Sequence, residues 1–208
     1  MSATLADRLR ERILSGTAGP GEPVRQDTLA AELGVSKIPL REALARLEEE
    51  GLLRSEVNRG WFVTPLSAAE AREVYALRLT LEPAAAARAA AVATDEDRAG
   101  AEAALRALDK AVAGHGSEVG ALNRAFHLSL IRPAGQPITF DILQRLNAVS
   151  DRYVRKHLEP RGRDARANDE HRALLDAWLA RDRAAVISLL TKHIAGTLDD
   201  LERQLMAD

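Results

Sequence analysis

The sequence predicts a mainly α protein in two parts, an N-terminal winged helix-turn-helix followed by an all-α helical bundle. Three observations carry this. Residues 26–51 read as a short helix, a tight turn at Gly34-Val35 and a second helix. Leu52-Leu53-Arg54-Ser55 and Trp61-Phe62-Val63-Thr64 read as two short strands joined through Val57-Asn58-Arg59-Gly60, where Asn and Gly tolerate hairpin geometry. From Ser67 onward the apolar residues recur at helical spacing, and no strand signal follows Thr64.

Taken in order, Thr4-Leu5-Ala6-Asp7 has the pattern of a capping box, and Leu5, Leu9 and Ile13 mark one face of a first helix ending at Gly16. Gly19-Pro20-Gly21 then turns the chain toward the helix-turn-helix. In the second of its helices, Leu40, Leu44 and Leu47 with Ala43 form an apolar stripe. Ser36 suits an N-cap, and Pro39 lies early enough in the first turn to cost little. Lys37 and Arg41 share another face at the positive end of the helix dipole, where a phosphate would be attracted, while Glu48, Glu49 and Glu50 lie at the far end. That polarity suits a helix entering the DNA major groove by its beginning, with Arg59 at the tip of the wing.

Pro65-Leu66 marks a boundary, giving domains 1–66 and 67–208. Ser67-Ala68-Ala69-Glu70 reads as a second capping box, opening a helix with Val74, Leu77 and Leu81 on one face, an alanine-rich continuation to about residue 93 and a possible kink at Pro83. Further helices are expected from Thr94 to about Val112, Ser117 to Ile131, Ile138 to Leu158, Asp164 to Ala180 and Asp182 to Met206, with Glu159-Pro160-Arg161-Gly162 as a stop.

Composition narrows the function classes. The 208 residues hold 46% hydrophobic side chains but only 3% aromatic ones, so the cores must be packed by aliphatic and alanine side chains. The absence of cysteine excludes disulfides and thiolate metal sites. No long apolar run marks a signal peptide or membrane span, and a cytoplasmic protein is expected. A net charge of −2 argues against a broad nonspecific grip on DNA, so affinity is expected from a homodimer placing two helices on two half-sites.

Three of the five histidines are placed suggestively. Asn123 and His127 stand four apart on one helical face, and His171 and His193 fall on the last two helices, 22 residues apart across a tight turn near Arg181-Asp182. Converging, three imidazoles and an amide oxygen could hold a divalent transition metal with one or two positions open. Spacing equally allows separate histidines, satisfied in a core or exposed. Arg78, bordering the apolar face of the first bundle helix, could pair with a carboxylate ligand or simply with Glu82 at the surface. Asn147 and Arg152 on the long helix are weaker candidates, and His115 and His157 are expected to face solvent.

The run L-A-x-x-L-G-V-S-K-x-P-L-R-E-A-L-x-x-L-x-x-E-G-L over residues 29–52, followed by a wing containing Arg59-Gly60, closely resembles the winged helix-turn-helix of GntR-family bacterial transcription regulators. The resemblance implies that Ser36, Lys37, Arg41, Arg59 and Gly60 sit at DNA-contacting positions. Where the family more often has Arg-Thr, this chain has Lys37-Ile38, and isoleucine cannot donate a hydrogen bond. The second domain resembles the helical FCD effector domain of the FadR-like branch. That likeness implies a metal (zinc, nickel or manganese) held by Asn123, His127, His171 and His193, with Asn where many members have Asp, and Arg78 facing an effector pocket. The implied function is a cytoplasmic regulator, commonly a repressor, whose affinity for double-stranded operator DNA responds to a small carboxylate bound in the helical domain. A metal sensor and a metalloenzyme with an accessory DNA-binding domain are the competing classes; against the enzyme, no carboxylate or nucleophile stands at recognisable spacing beside the proposed ligands.

Overall fold

A computed structural model describes residues 4–114, 118–158 and 163–205, exclusive of the side chains of residues 154–165. The expectations for His115, Ser117, Glu159-Pro160-Arg161-Gly162, Met206 and the His157 side chain fall outside the described residues. The chain separates into two compact units, Met1–Leu66 and Ser67–Asp208.

The first unit comprises α1 (Leu5–Leu14), α2 (Gln26–Leu33), α3 (Lys37–Glu49), β1 (Leu53–Glu56) and β2 (Gly60–Val63). Thr4 caps α1 in a complete capping box with Asp7, whose carboxyl is held down to about 2 by bonds from Thr4 and Arg10. Helix α2 ends at Gly34 with φ 67°, and Val35 N–H donates back to the Ala30 carbonyl at 3.0 Å. That left-handed residue is what glycine supplies cheaply, and it turns the chain straight into α3. The α3 stripe is buried as its periodicity predicts: Leu40, Ala43, Leu44 and Leu47 join Ala6, Leu9, Ala30, Leu52, Leu53 and Val63 in one core. The strands pair antiparallel with Leu53 opposite Val63 and Glu56 opposite Gly60, and Asn58 takes φ 62° in the turn.

The second unit, among the described residues, is entirely helical: α4 (Ala68–Val92), α5 (Asp95–Ala113), α6 (Val119–Ile131), a 3-10 turn (Arg132–Ala134), α7 (Pro137–Leu158), α8 (Arg163–Leu179) and α9 (Arg183–Leu205). Helix α4 runs through Pro83 as one assigned helix and packs against α6, α7 and α9. Its inward side corrects the predicted face. Leu77 is 43% exposed, and the buried ridge is Ala71, Val74, Tyr75, Arg78, Glu82, Ala85, Ala86 and Ala89. Alanines admit close neighbours, so the helix buries small side chains and a paired charge, and turns a leucine outward.

The capping box predicted at Ser67 forms only in half. Ser67 accepts from Glu70 N–H at 3.3 Å, but the Glu70 carboxylate accepts from the Tyr153 hydroxyl and from Arg152. Tyr153 also takes the Ser67 N–H at 3.2 Å, so α7 supplies the second half of the cap. At the other end of the bundle Arg181, with φ 60°, and Asp182 turn α8 into α9, and the Asp182 carboxylate caps Ala185 N–H at 3.0 Å.

Candidate functional sites

In the first unit, the residues expected at DNA gather on α3 and the wing. Ser36 occupies the N-cap of α3, and its hydroxyl makes no cap hydrogen bond. Lys37 Nζ lies 2.5 Å from Asp27 Oδ1 with both side chains largely exposed. Arg41 is exposed and makes no ion pair with a described residue. Arg59 is exposed at the wing tip, paired with Glu56 and stacked 5.0 Å from the centre of the Phe62 ring. Gly60 takes φ 88°, a conformation that lets the strand leave the turn there. Screened pairs this exposed are worth little, so a phosphate can take over Lys37 or Arg59 at small cost.

The glutamates at the far end of α3 acquire roles that spacing does not reveal. Glu48 accepts from Ser55 N–H at 2.8 Å and from Trp61 Nε1 at 3.0 Å, bonds that lower its carboxyl pKa and tie the wing to α3. Glu50 receives two bonds from Arg10 at 2.7 and 2.8 Å, tying α1 to the same end. Glu48 thereby fixes the wing on the last turns of α3, and Glu50 fixes α1 on the same end of the helix.

In the second unit, the three histidines meet. His127, His171 and His193 are all buried, with candidate ligand nitrogens within 4.8 Å of one another. His171 Nε2 and His193 Nε2 are 3.2 Å apart. Nitrogens bound to one ion at about 2.0–2.1 Å stand about 2.8–3.0 Å apart at the right angles of an octahedron and about 3.3–3.4 Å apart in a tetrahedron, values that bracket this separation. His127 Nε2 is buried without a hydrogen-bond partner. An orphaned buried acceptor costs about 1–3 kcal/mol unless something satisfies it, so the donor set fits a divalent transition metal.

The outer ring nitrogens are engaged by carboxylates. His127 Nδ1 lies 2.8 Å from Glu82 Oε1, and His193 Nδ1 lies 2.8 Å from Glu170 Oε2. A carboxylate accepts, so each Nδ1 carries the proton and each Nε2 presents a lone pair inward, the arrangement usual behind metal-bound histidines. Burial depresses the His127 imidazole to about 4, against the pull of Glu82, which keeps it neutral and able to ligate. Neither Glu82 nor Glu170 is singled out as an orienting group by spacing. The available signal was Glu82 four residues after Arg78, and Glu170 adjacent to His171 in sequence but turned to His193.

Arg78 and Glu82 form a buried pair, not a surface one: Arg78 is 3% exposed and Glu82 0%. Arg78 donates from Nε at 2.8 Å and from Nη2 at 3.1 Å, a bidentate contact. Burial opposes charge on Glu82, but Arg78 and His127 outweigh it and hold its pKa well below the usual range. Arg78 and Asn123 line the cavity in front of the histidines, together with Tyr75, Asn168 and Thr197. Asn147 does not line it; its amide donates to Glu82 at 3.2 Å and to the Leu143 carbonyl at 3.0 Å, which holds the Glu82 carboxylate in place. The cavity measures about 30 Å³. Roughly 10–15 Å³ holds one water, so it has room for an ion with one or two small ligands.

The comparisons with known proteins divide the chain at the same place. Residues 1–63 match the model described as bacterial regulatory proteins, gntR family, and residues 73–196 match the FCD domain. The Nta operon transcriptional regulator of Aminobacter aminovorans is 35% identical over 133 residues, 64% of this chain and 62% of that protein. An HTH-type transcriptional regulator of Bacillus subtilis, YdhC, is 34% identical over 60% of this chain and 57% of its own length. The matched stretches thus span under two thirds of these two relatives. The HTH-type transcriptional repressor RspR of Escherichia coli is 29% identical over 89% of this chain and 82% of its own. Among solved structures, a GntR regulator from Rhodococcus superposes with a TM-score of 0.79 at 25% identity, covering 98% of this chain and 96% of that one. These relatives are named as regulators, none as an enzyme. With both models matched in sequence order, and the second alone covering more than half of its length, the chain belongs to the gntR family of bacterial regulatory proteins, its helix-turn-helix unit followed by an FCD domain.

Proposed function

We propose that this protein is a cytoplasmic transcription regulator that binds operator DNA as a homodimer and responds to a small carboxylate in a metal-containing FCD domain. Ser36, Lys37, Arg41, Arg59 and Gly60 are the DNA-facing positions, in a helix-turn-helix whose second helix enters the major groove. His127, His171 and His193, with Asn123 beside them, hold a divalent transition metal such as zinc, nickel or manganese. The single observation that carries the metal reading is the buried, unpartnered His127 Nε2, turned inward while Glu82 occupies Nδ1. The ion, when bound, supplies a Lewis-acidic centre on neutral ligands, to which an anion is attracted.

The protein's own contribution is positional. Glu82 and Glu170 fix two imidazole tautomers, and Arg78 offers its remaining guanidinium hydrogens to an entering carboxylate, in a cavity that admits a carbon chain only if lining side chains move. A carboxylate that binds the moved arrangement better shifts the population toward it, and operator affinity follows only as far as that preference extends. Repression relieved by ligand is the sign we propose.

The small size of the cavity also favours a second reading, in which the ion itself is the signal. Titrating divalent metals and small carboxylates separately against operator binding distinguishes the two. The first reading requires a response to acid in metal-loaded protein; a response to metal alone selects the second. Dialysed wild type with no bound metal and no metal-dependent change in operator binding would remove both.

A further inference from the structure

Helix α3 carries a large aliphatic side chain in solvent at its leading end. Ile38 is 73% exposed, at the second position of the helix. In the described part of the first unit it shares that condition among large hydrophobics only with Val57, 89% exposed in the wing turn. At about 100° per residue, Ile38 projects almost diametrically away from the stripe of Leu40, Ala43, Leu44 and Leu47. It therefore takes no part in the core of this unit. Arg41, three residues on and so its neighbour on the helix surface, is exposed as well, and Ala45 continues the same outward line with a side chain too short to hold the helix away from a flat partner.

Polar side chains read base edges through hydrogen bonds, and Ile38 has none to offer. The major groove presents one apolar feature that distinguishes base pairs, the C5 methyl of thymine, which 5-methylcytosine shares. Resting on the regulator reading above, we propose that Ile38 is a specificity-determining residue that packs on a pyrimidine C5 methyl in each operator half-site. Lys37 and Arg41 hold the helix end against the backbone, and Ile38 supplies sequence preference without a hydrogen bond. Covering one methyl is worth about a fourfold change in affinity per half-site, the equivalent of about 0.8 kcal/mol.

The test starts from duplexes selected out of a random pool by the full-length protein. In the best binder, each thymine is replaced singly by uracil, which deletes only the methyl, and affinity is measured for wild type, Ile38→Ala and Ile38→Val. One position per half-site should cost wild type about fourfold on conversion to uracil. At that position Ile38→Ala should bind thymine and uracil duplexes equally, with Ile38→Val between. A cytosine pair placed there, with and without 5-methylation, identifies the source: a preference for the methylated form in wild type and not in Ile38→Ala shows that the methyl is read whichever base bears it, and a thymine effect without a 5-methylcytosine effect confines the contact to thymine. Because Ile38 is exposed, the variants should melt with wild type, and circular dichroism verifies this. The inference is overturned if no thymine is methyl-sensitive, or if Ile38→Ala keeps the full discrimination. Failure to select any duplex would overturn the regulator reading itself, a separate and recognisable result.

Discussion

Glu82 lies at the centre of the helical unit, accepting from Arg78 twice, from Asn147 and from His127, and replacing it with glutamine perturbs that network with almost no change in volume. The substitution deprives Arg78, 3% exposed, of its hydrogen-bonded counter-charge and leaves it only the longer-range field of Asp151 on α7, and it turns an amide N–H₂ toward at least one donor that needs an acceptor. Removing one partner of a buried ion pair typically costs about 3–5 kcal/mol, and with both side chains out of solvent little screening reduces it. At a urea m-value of about 2 kcal/mol/M, the midpoint should fall by roughly 1.5–2.5 M. The assay can be confined to this unit, because the chain has two tryptophans and they divide between the units. Trp178 is buried with Nε1 donating to the Leu130 carbonyl, so in a Trp61→Phe background its fluorescence reports unfolding of the helical unit alone. Adding Arg78→Met to Glu82→Gln removes the stranded charge and should recover most of the loss. A loss under about 1 kcal/mol, or a double variant no better than the single, would refute the assignment of Glu82 as the charge partner of Arg78.

Three further outcomes follow from the same geometry. Glu170→Gln should lower zinc affinity about 10–100-fold in competition with a chelator, because His193 loses the carboxylate that orients it; unchanged affinity would remove Glu170 from the site. Arg41→Ala should weaken operator binding and reduce the slope of log K against log salt by about 0.9 for each phosphate that the arginine neutralises, and a slope equal to that of wild type would show that Arg41 does not meet the backbone. Asp151, almost fully buried, is pushed up to about 7 by burial, which outweighs its partner Arg124 and the more distant Arg78. A folded-state pKa raised above the unfolded value of 3.8 means that the native state binds the extra proton, so its stabilisation is present at low pH and is lost as pH rises through about 7. Asp151→Asn should gain on wild type from about pH 4 to pH 8 in denaturation midpoints, and a constant difference over that window would contradict it.

What could be read from the chain alone was whatever is decided within a few residues. Thr4 and Thr94 each bond the N–H three positions along, so the capping box predicted at Thr4 forms and Thr94 caps α5, whereas the one predicted at Ser67 forms only in half. Gly34 and Asn58 stand where the backbone needs positive φ, and the stripe of Leu40, Leu44 and Leu47 has no competing face. These features placed the helix-turn-helix and the wing, while helical spacing of apolar residues between proline and glycine breaks placed the helices of the second unit. The helix α4 pattern misled because its contrast is weak: alanines are spread along the helix and fill most of its second half, so three aliphatic residues seemed to mark the inward side while the bundle buried Arg78 and Glu82 instead.

Only tertiary structure could decide that, because a charged residue is buried or exposed according to what stands opposite it. Glu82 is inside because Arg78, His127 and Asn147, drawn from three helices, supply four donors; Glu70 leaves its own helix cap because Tyr153 and Arg152 arrive from α7. Likewise, His171 and His193 were visible as residues, but the 3.2 Å between their nitrogens and the carboxylate behind His193 depend on how α8 packs on α9. Sequence determined the elements and the chemical groups they carry, through bonds and periodicities that act along the chain. Packing determined which groups share a desolvated space, since desolvation depends on neighbours remote in sequence.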